Sequence, residues 1–220
     1  MKKISKKHKK SLDLLDKSKF YSVQEGVSKA KELSYAKFDE TVNANISLGI
    51  NPEKGEHAVR GSVVLPHQYG EKIKVLAFAK GEQAEKAKLA GADFVGDEDL
   101  IEKIQSGWLD FNYAVATVEL MGMVGKVAKI LGPKGILPNK KNGTVALDLM
   151  PIIKELKSGL SFYKNDKYGQ VNFCFGKVSL TSEQLKENLD SFLKSLKLSR
   201  PSSLKGIFIK KLTVNSTMGP

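Results

Sequence analysis

Near residue 71 the hydrophobic texture of this chain changes, and after Gly159 it changes back. On the N-terminal side, Val42, Ala44, Ile46 and Leu48 alternate with polar residues, the period of a strand with one buried face. Residues 59–65 read as a second strand, stopped by Pro66, which has no N–H to give to a ladder. Ahead of both, Ser22 and Glu25 stand at capping-box spacing. Val23, Val27, Ala30 and Leu33 then recur at helical intervals, which predicts a helix over about 22–34. Inside the interval the pattern is different. Residues 73–79 form a nearly continuous apolar run, as a strand buried on both faces requires. A helix over 82–90 stopped by Gly91 follows, then a short strand at 93–95 and a helix through Gln105 opened by Asp97, Glu98 and Asp99. Next come a strand at 113–118, a helical stretch at 120–131, a Gly/Pro loop, a strand at 144–147 and a short helix begun by Pro151. Strands alternating with helices imply βαβ units, hence a parallel sheet covered by helices.

After Gly159, strands at about 160–165 and 170–178 flank Lys167-Tyr168-Gly169, which predicts a hairpin. Thr181 and Gln184 repeat the capping-box spacing, and the helix they open carries Leu185, Leu189, Phe192 and Leu196 on one face before Pro201. Residues 207–214 are the last strand. The expected architecture is an α+β discontinuous two-layer domain formed by both chain ends, residues 1–66 plus 159–220. It is interrupted by an inserted α/β domain at 67–158, three-layered, with a parallel, Rossmann-like sheet.

Charge sharpens this division. The chain holds 36 basic and 24 acidic residues, a net of +12, which favours a polyanionic partner. Residues 67–158 carry thirteen lysines against twelve acids, a net of +1, and the two terminal segments hold the remaining +11. Six lysines fall in the first ten residues, so 2–10 is expected to be a basic arm, mobile or ordered only on a partner. No apolar run is long enough to span a membrane. The arm is followed by no signal-peptide core and contains no arginine, so the chain is expected to stay in the cytoplasm. The single cysteine, Cys174, permits no intramolecular disulfide and no cysteine-based metal site. It is expected to be a small buried hydrophobe.

Catalytic patterns are weak. Gly122-Met-Val-Gly125-Lys126 lacks the spacing of a phosphate-cradling loop, and no GxGxxG occurs. Asp97, Glu98 and Asp99 fit the first turn of a helix, where carboxylates complement the dipole, better than a metal or acid/base cluster. His8, His57 and His67 are scattered, and no cofactor, metal or small-molecule substrate is expected. Two other readings remain open: a nucleotide-dependent enzyme using the α/β insertion, and a KH-like single-stranded RNA module clamping backbone with Gly122–Gly125 or Gly132–Gly135. Four segments carry more than core packing needs. They are Lys37-Phe38-Asp39-Glu40-Thr41, where Phe38 is equally readable as core or surface; the lysine-rich Gly/Pro loop from Lys126 to Thr144; Lys164-Asn-Asp166-Lys167; and the closing Asn215-Ser-Thr217-Met-Gly219-Pro220.

Three of these segments resemble the bacterial ribosomal protein L-one family, the protein of the mobile stalk beside the tRNA exit site. Ala36-Lys37-Phe38-Asp39-Glu40-Thr41-Val42, Val59-Arg60-Gly61 and Leu65-Pro66-His67 are similar to its opening half. Gly132-Pro-Lys-Gly-Ile-Leu-Pro-Asn139 with Gly143-Thr144-Val145 is similar to its signature, and Ser216-Thr-Met-Gly-Pro220 to its C-terminal RNA-contacting motif. The resemblance implies a non-enzymatic constituent of the large ribosomal subunit, monomeric when free. It would bind large-subunit rRNA, help release exit-site tRNA, and repress its own operon mRNA through the leader. It implies rRNA and mRNA contacts at Lys37, Phe38, Thr41, Lys164, Lys167, Ser216, Thr217, Met218 and Gly219. Secondary RNA contacts fall to Lys126, Lys129, Lys134, Lys140 and Lys141, and a hinge to Pro66, His67, Ser158 and Gly159. Three positions depart from the family pattern. Lys164 stands where arginine is common and lacks its planar fork, Asn172 replaces a common histidine, and Lys140 replaces a proline.

Overall fold

A computed structural model describes residues 6–16, 19–52, 55–70 and 72–220, without the side chains of Lys6 and Lys141. The chain begins with helix α1 (Lys6–Asp13) and helix α2 (Val23–Glu32), followed by strands β1 (Thr41–Leu48) and β2 (Arg60–Val64). Residues 2–5 of the expected basic arm lie outside the described residues. From Lys6 onward the arm is helical, because His8, Ser11, Leu12 and Leu15 recur at helical spacing on its less exposed side.

Strands β3 (Val75–Phe78), β4 (Phe94–Gly96), β5 (Tyr113–Thr117) and β6 (Val145–Ala146) follow, with α3 (Glu82–Leu89) and α4 (Glu98–Gln105) between the first three. Between β5 and β6 run α5 (Met121–Val124) and α6 (Ala128–Leu131), joined by a 3-10 turn, so the helical stretch expected over 120–131 is built of three short pieces. Helix α7 (Met150–Lys157) then leads to β7 (Leu160–Lys164), β8 (Gln170–Lys177), α8 (Ser182–Leu198) and β9 (Ile209–Ser216). Contacts divide the chain into two compact units, residues 1–70 with 162–220, and residues 71–161.

In the first unit β1 is central, flanked antiparallel by β8 and β9. The N-terminal strand therefore cannot be satisfied without two strands that lie more than 120 residues later. Its expected alternation is present: Val42, Ala44, Ile46 and Leu48 are buried and the odd positions are not. Val171, Phe173 and Phe175 of β8 face the same core, where α8 supplies Leu185, Leu189, Phe192 and Leu196. Phe173 stacks on Phe192 with ring centres 4.0 Å apart and planes at 14°. Both capping boxes are complete, at Ser22/Glu25 and Thr181/Gln184.

Two expectations for this unit need correction. The turn Lys167-Tyr168-Gly169 does not join a hairpin ladder: β7 pairs with β2 in a separate two-stranded sheet, and only a single bridge, Asn165 to Val171, links it towards β8. Cys174 is exposed, not buried, because the alternation that buries Val171, Phe173 and Phe175 turns the residue between the last two outward. Its Sγ donates to Asn43 Oδ1 at 2.8 Å.

The second unit holds an all-parallel four-stranded sheet in the order β4-β3-β5-β6. Leu76 and Phe78 on one face pack with α4, α5 and α6 through Leu100, Ile104, Val124 and Leu131. Helices α3 and α7 pack together against β3. All four residues of β3 are buried, which accounts for its unbroken apolar sequence. Asp97 occupies the N-cap of α4 but makes no side-chain cap bond, lying instead 3.6 Å from Lys80, while Glu98 and Asp99 sit in the first turn.

Candidate nucleic-acid interface

The junction before β1 is organised by Glu40, a member of the charged turn Lys37–Thr41 to which the sequence assigned no separate role. Extending the alternation of β1 back by one step puts position 40 on the inner face with Val42 and Ala44. Its side chain is 1 % exposed. Such a carboxylate needs donors, and it has four. Oε1 accepts from the backbone N–H groups of Tyr35 (3.1 Å) and Ala36 (2.7 Å). Oε2 accepts from Ser216 Oγ (2.7 Å) and the Met218 N–H (2.9 Å). Burial pushes the carboxyl pKa up, but hydrogen bonds from Ser216, Met218, Ala36 and Tyr35 outweigh it and hold the group below its ordinary value.

This carboxylate ties the C-terminal segment to the 35–40 turn. β9 pairs Ser216 opposite Val42, so the serine enters on the same inner face. Its hydroxyl donates to Glu40 and accepts from the Gly219 N–H at 3.1 Å. A Cβ on Gly219 would fall 2.5 Å from that hydroxyl oxygen, so only glycine fits without a shift. Thr217 closes the other side: Oγ1 accepts from the Thr41 N–H (2.9 Å) and donates to the Thr41 carbonyl (3.2 Å). Asp39 accepts from Ser179 N–H (3.0 Å) and Ser179 Oγ (2.9 Å). With its neighbours fastened, the turn presents Lys37 and Phe38 outward, and Phe38 is 56 % exposed. Met218 is exposed by 48 % although its N–H is buried in the network.

The candidate residues therefore differ in what they can do. Lys37, Phe38 and Met218 offer free surface, whereas Ser216 is buried and fully engaged, so its hydroxyl is available as a brace and not for ribose. The nine residues also do not form one cluster. Lys164 and Lys167 are exposed around a turn in which Asp166 Oδ1 accepts from the Tyr168 and Gln170 N–H groups, with Lys167 Nζ lying 5.1 Å from the Tyr168 ring centre. That turn meets β1 at its other end, where the Leu48 N–H donates to the Gly169 carbonyl. Seven strand steps separate Thr41 from Leu48, about 23 Å at the usual rise.

Between the two ends runs the outer face of the three-stranded sheet. Asn43 lies opposite Cys174 and Asn215, Asn45 opposite Asn172 and Thr213, and Ser47 opposite Gln170 and Lys211. Residues directly opposite share a face, so this is a surface of amides and hydroxyls, with the Cys174 thiol and the Lys211 ammonium, and without a carboxylate. Asn45 Nδ2 donates to Asn215 Oδ1 at 2.8 Å.

In the second unit, Lys126, Lys129, Lys134 and Lys140 are exposed, and the side chain of Lys141 lies outside the described residues. The loop is shaped by the buried Thr144, whose Oγ1 accepts from the Asn139 N–H (2.8 Å) and donates to its carbonyl (3.2 Å). Gly122–Gly125 is wound into helical turns, so it does not present the open backbone that a KH-type clamp needs. Among the described residues no group of three His, Cys, Asp or Glu side chains could hold a metal ion.

The first unit carries exposed aromatic and lysine side chains on a braced loop, surface chemistry that suits a polyanion such as RNA. The chain belongs to the Ribosomal protein L1p/L10e family, whose model matches residues 30–220. It is accordingly a structural constituent of the large ribosomal subunit that binds rRNA. No helix among the described residues is long and apolar enough to cross a membrane.

Proposed function

We propose that the unit made from both chain ends is the rRNA-gripping domain of a ribosomal stalk protein, and that residues 71–161 form an inserted domain adding weaker contacts through its lysine loop. The observation that carries this reading is the Glu40 network, which fixes Lys37, Phe38, Thr217 and Met218 as one preorganised surface. Lysines supply salt-dependent affinity through counterion release. Phe38 and Met218 pack on exposed bases or sugars of irregular RNA, and the amide face of the sheet lies along the path to Lys164 and Lys167. In the same reading the protein assists release of deacylated tRNA from the exit site and represses its own operon message, whose leader competes for the same surface.

The test is filter binding to a large-subunit rRNA fragment. Met218→Asp, which puts a charge into the interface, is expected to lower affinity by ~1–3 kcal/mol with no loss of folding stability. Wild-type affinity for this variant would overturn the reading. Repression is tested by adding the protein to cell-free translation of its leader message, where Met218→Asp should lose the inhibition that the wild type gives.

The proposed hinge is narrower than the residues first marked for it. His67 is held on both sides of its peptide: its N–H donates to Asn188 Oδ1 (2.9 Å), and Asn188 Nδ2 donates back to its carbonyl (2.8 Å). Its Nε2 lies 2.6 Å from Glu187 Oε2. Ser158 closes the end of α7 through its N–H and hydroxyl. Rotation at either residue breaks these bonds, so in this reading we place the pivots at Gly70 and at Gly159, both at positive φ (84° and 95°), the second giving up only its long bonds to Leu156 and Ser161 (3.2 and 3.4 Å).

A further inference from the structure

Helix α1 lies outside the segment matched by the family, which begins at residue 30, yet it is seated against the candidate interface. His8 Nδ1 lies 3.4 Å from the Met218 carbonyl, and its ring meets the Tyr35 ring edge-on with centres 6.3 Å apart. Ser11, one turn on, is 7 % exposed, and its hydroxyl faces the Leu33 carbonyl at 3.5 Å. The helix thus rests on the two segments that Glu40 ties together, the 33–36 stretch and the C-terminal loop. With His8 and Ser11 turned inward, Lys7, Lys9 and Lys10 are exposed. Lys7 and Lys10 are neighbours on the helix surface at i and i+3, and Lys7 and Lys9 flank the residue that touches Met218.

We infer that α1 is a second phosphate-binding surface for the same RNA, in which Lys7, Lys9 and Lys10 engage the backbone next to the nucleotides held at Phe38 and Met218. The inference rests on the reading given above of Met218 as an RNA contact. A lysine helix without a seat would add only diffuse attraction. Here the contacts of His8 and Ser11 fix where the three ammonium groups stand relative to the specific site, so they neutralise defined phosphates of the bound RNA. Their contribution carries no sequence information and appears as salt dependence.

The experiment uses the full chain with Lys7→Gln, Lys9→Gln and Lys10→Gln combined; all three are exposed positions where glutamine sustains a helix as well as lysine does. A large-subunit rRNA fragment is titrated at four or more potassium chloride concentrations, with Met218→Asp as companion and circular dichroism melts for both. The triple variant should bind about tenfold more weakly at low salt. The slope of log affinity against log salt should be shallower by roughly 2–3, one phosphate per lysine at about 0.7–0.9 each. Met218→Asp should lose affinity with its slope kept. If the triple variant matches wild type while Met218→Asp is impaired, the inference is wrong and the proposed function stands. Weaker binding with an unchanged slope would make α1 a structural prop and would also overturn it. If neither variant is impaired, the proposed interface itself fails.

Discussion

Glu40 stands in the more basic part of the chain, buried, with two acceptor oxygens and four donors aimed at them. Those bonds do two things at once: they stabilise the ionised form and they join three chain segments that the sequence separates by as many as 178 positions. Because the folded carboxyl binds its proton less readily than its ordinary value of 4.5, its contribution to stability is present above that value. It is lost as the pH falls through the lower folded value. Glu40→Ala leaves four donors without their acceptor and is expected to cost about 3 kcal/mol in urea unfolding at neutral pH. It should also flatten the fall of stability on the acid side. A variant whose acid dependence matched wild type would show that the network does not govern it. Neither the burial of Glu40 nor the bracing role of Ser216 was legible in the sequence, since a charged residue in a turn and a serine near a terminus are ordinarily solvated. The clue was present in the register of β1 and β9, whose inward positions, extended by one step, are 40 and 216.

At the scale of elements, local signals were the most legible. Ser22 with Glu25 and Thr181 with Gln184 make the reciprocal cap bonds at 3.0–3.3 Å that their spacing requires, because a capping box closes within four residues. Thr181→Ala is expected to lower stability by ~1 kcal/mol and to leave rRNA affinity unchanged, as measured by urea unfolding and filter binding. Strand partnership was less legible. Strands β7 and β8 are separated by one turn, yet β7 pairs with β2, and the turn is closed by its own Asp166. The last strand begins two residues later than its apolar run suggested and continues to Ser216. Ladder hydrogen bonds decide strand limits, and the partner strand is chosen by a core that no local window contains.

On the scale of the whole molecule, the candidate contacts in the first unit stand at two ends of one sheet, with an amide-rich face free of carboxylates between them. If RNA crosses that face, a carboxylate at its centre should repel phosphate along the path. Asn45→Asp is expected to weaken rRNA binding about tenfold, with little change in unfolding free energy because the position points away from the core. Equal affinity for the two proteins in the same filter assay would show that RNA bypasses the sheet.

Composition, periodicity and capping by themselves determined that this chain is basic, that it mixes half-buried strands with a run of βαβ units, and that its excess charge belongs to the two ends. Family motifs within it marked Lys37, Phe38, Thr217 and Met218. Such features repeat over two to seven residues or are simple counts, so they survive in one dimension. Only the tertiary structure decided that Glu40 is the centre of a buried hydrogen-bond network, that Ser216 braces it, that Cys174 faces outward, and that Lys7, Lys9 and Lys10 stand on a helix seated beside Met218. Each of those depends on hydrogen bonds and burial between segments far apart in the chain, and free energies of that kind exist only once the segments have met.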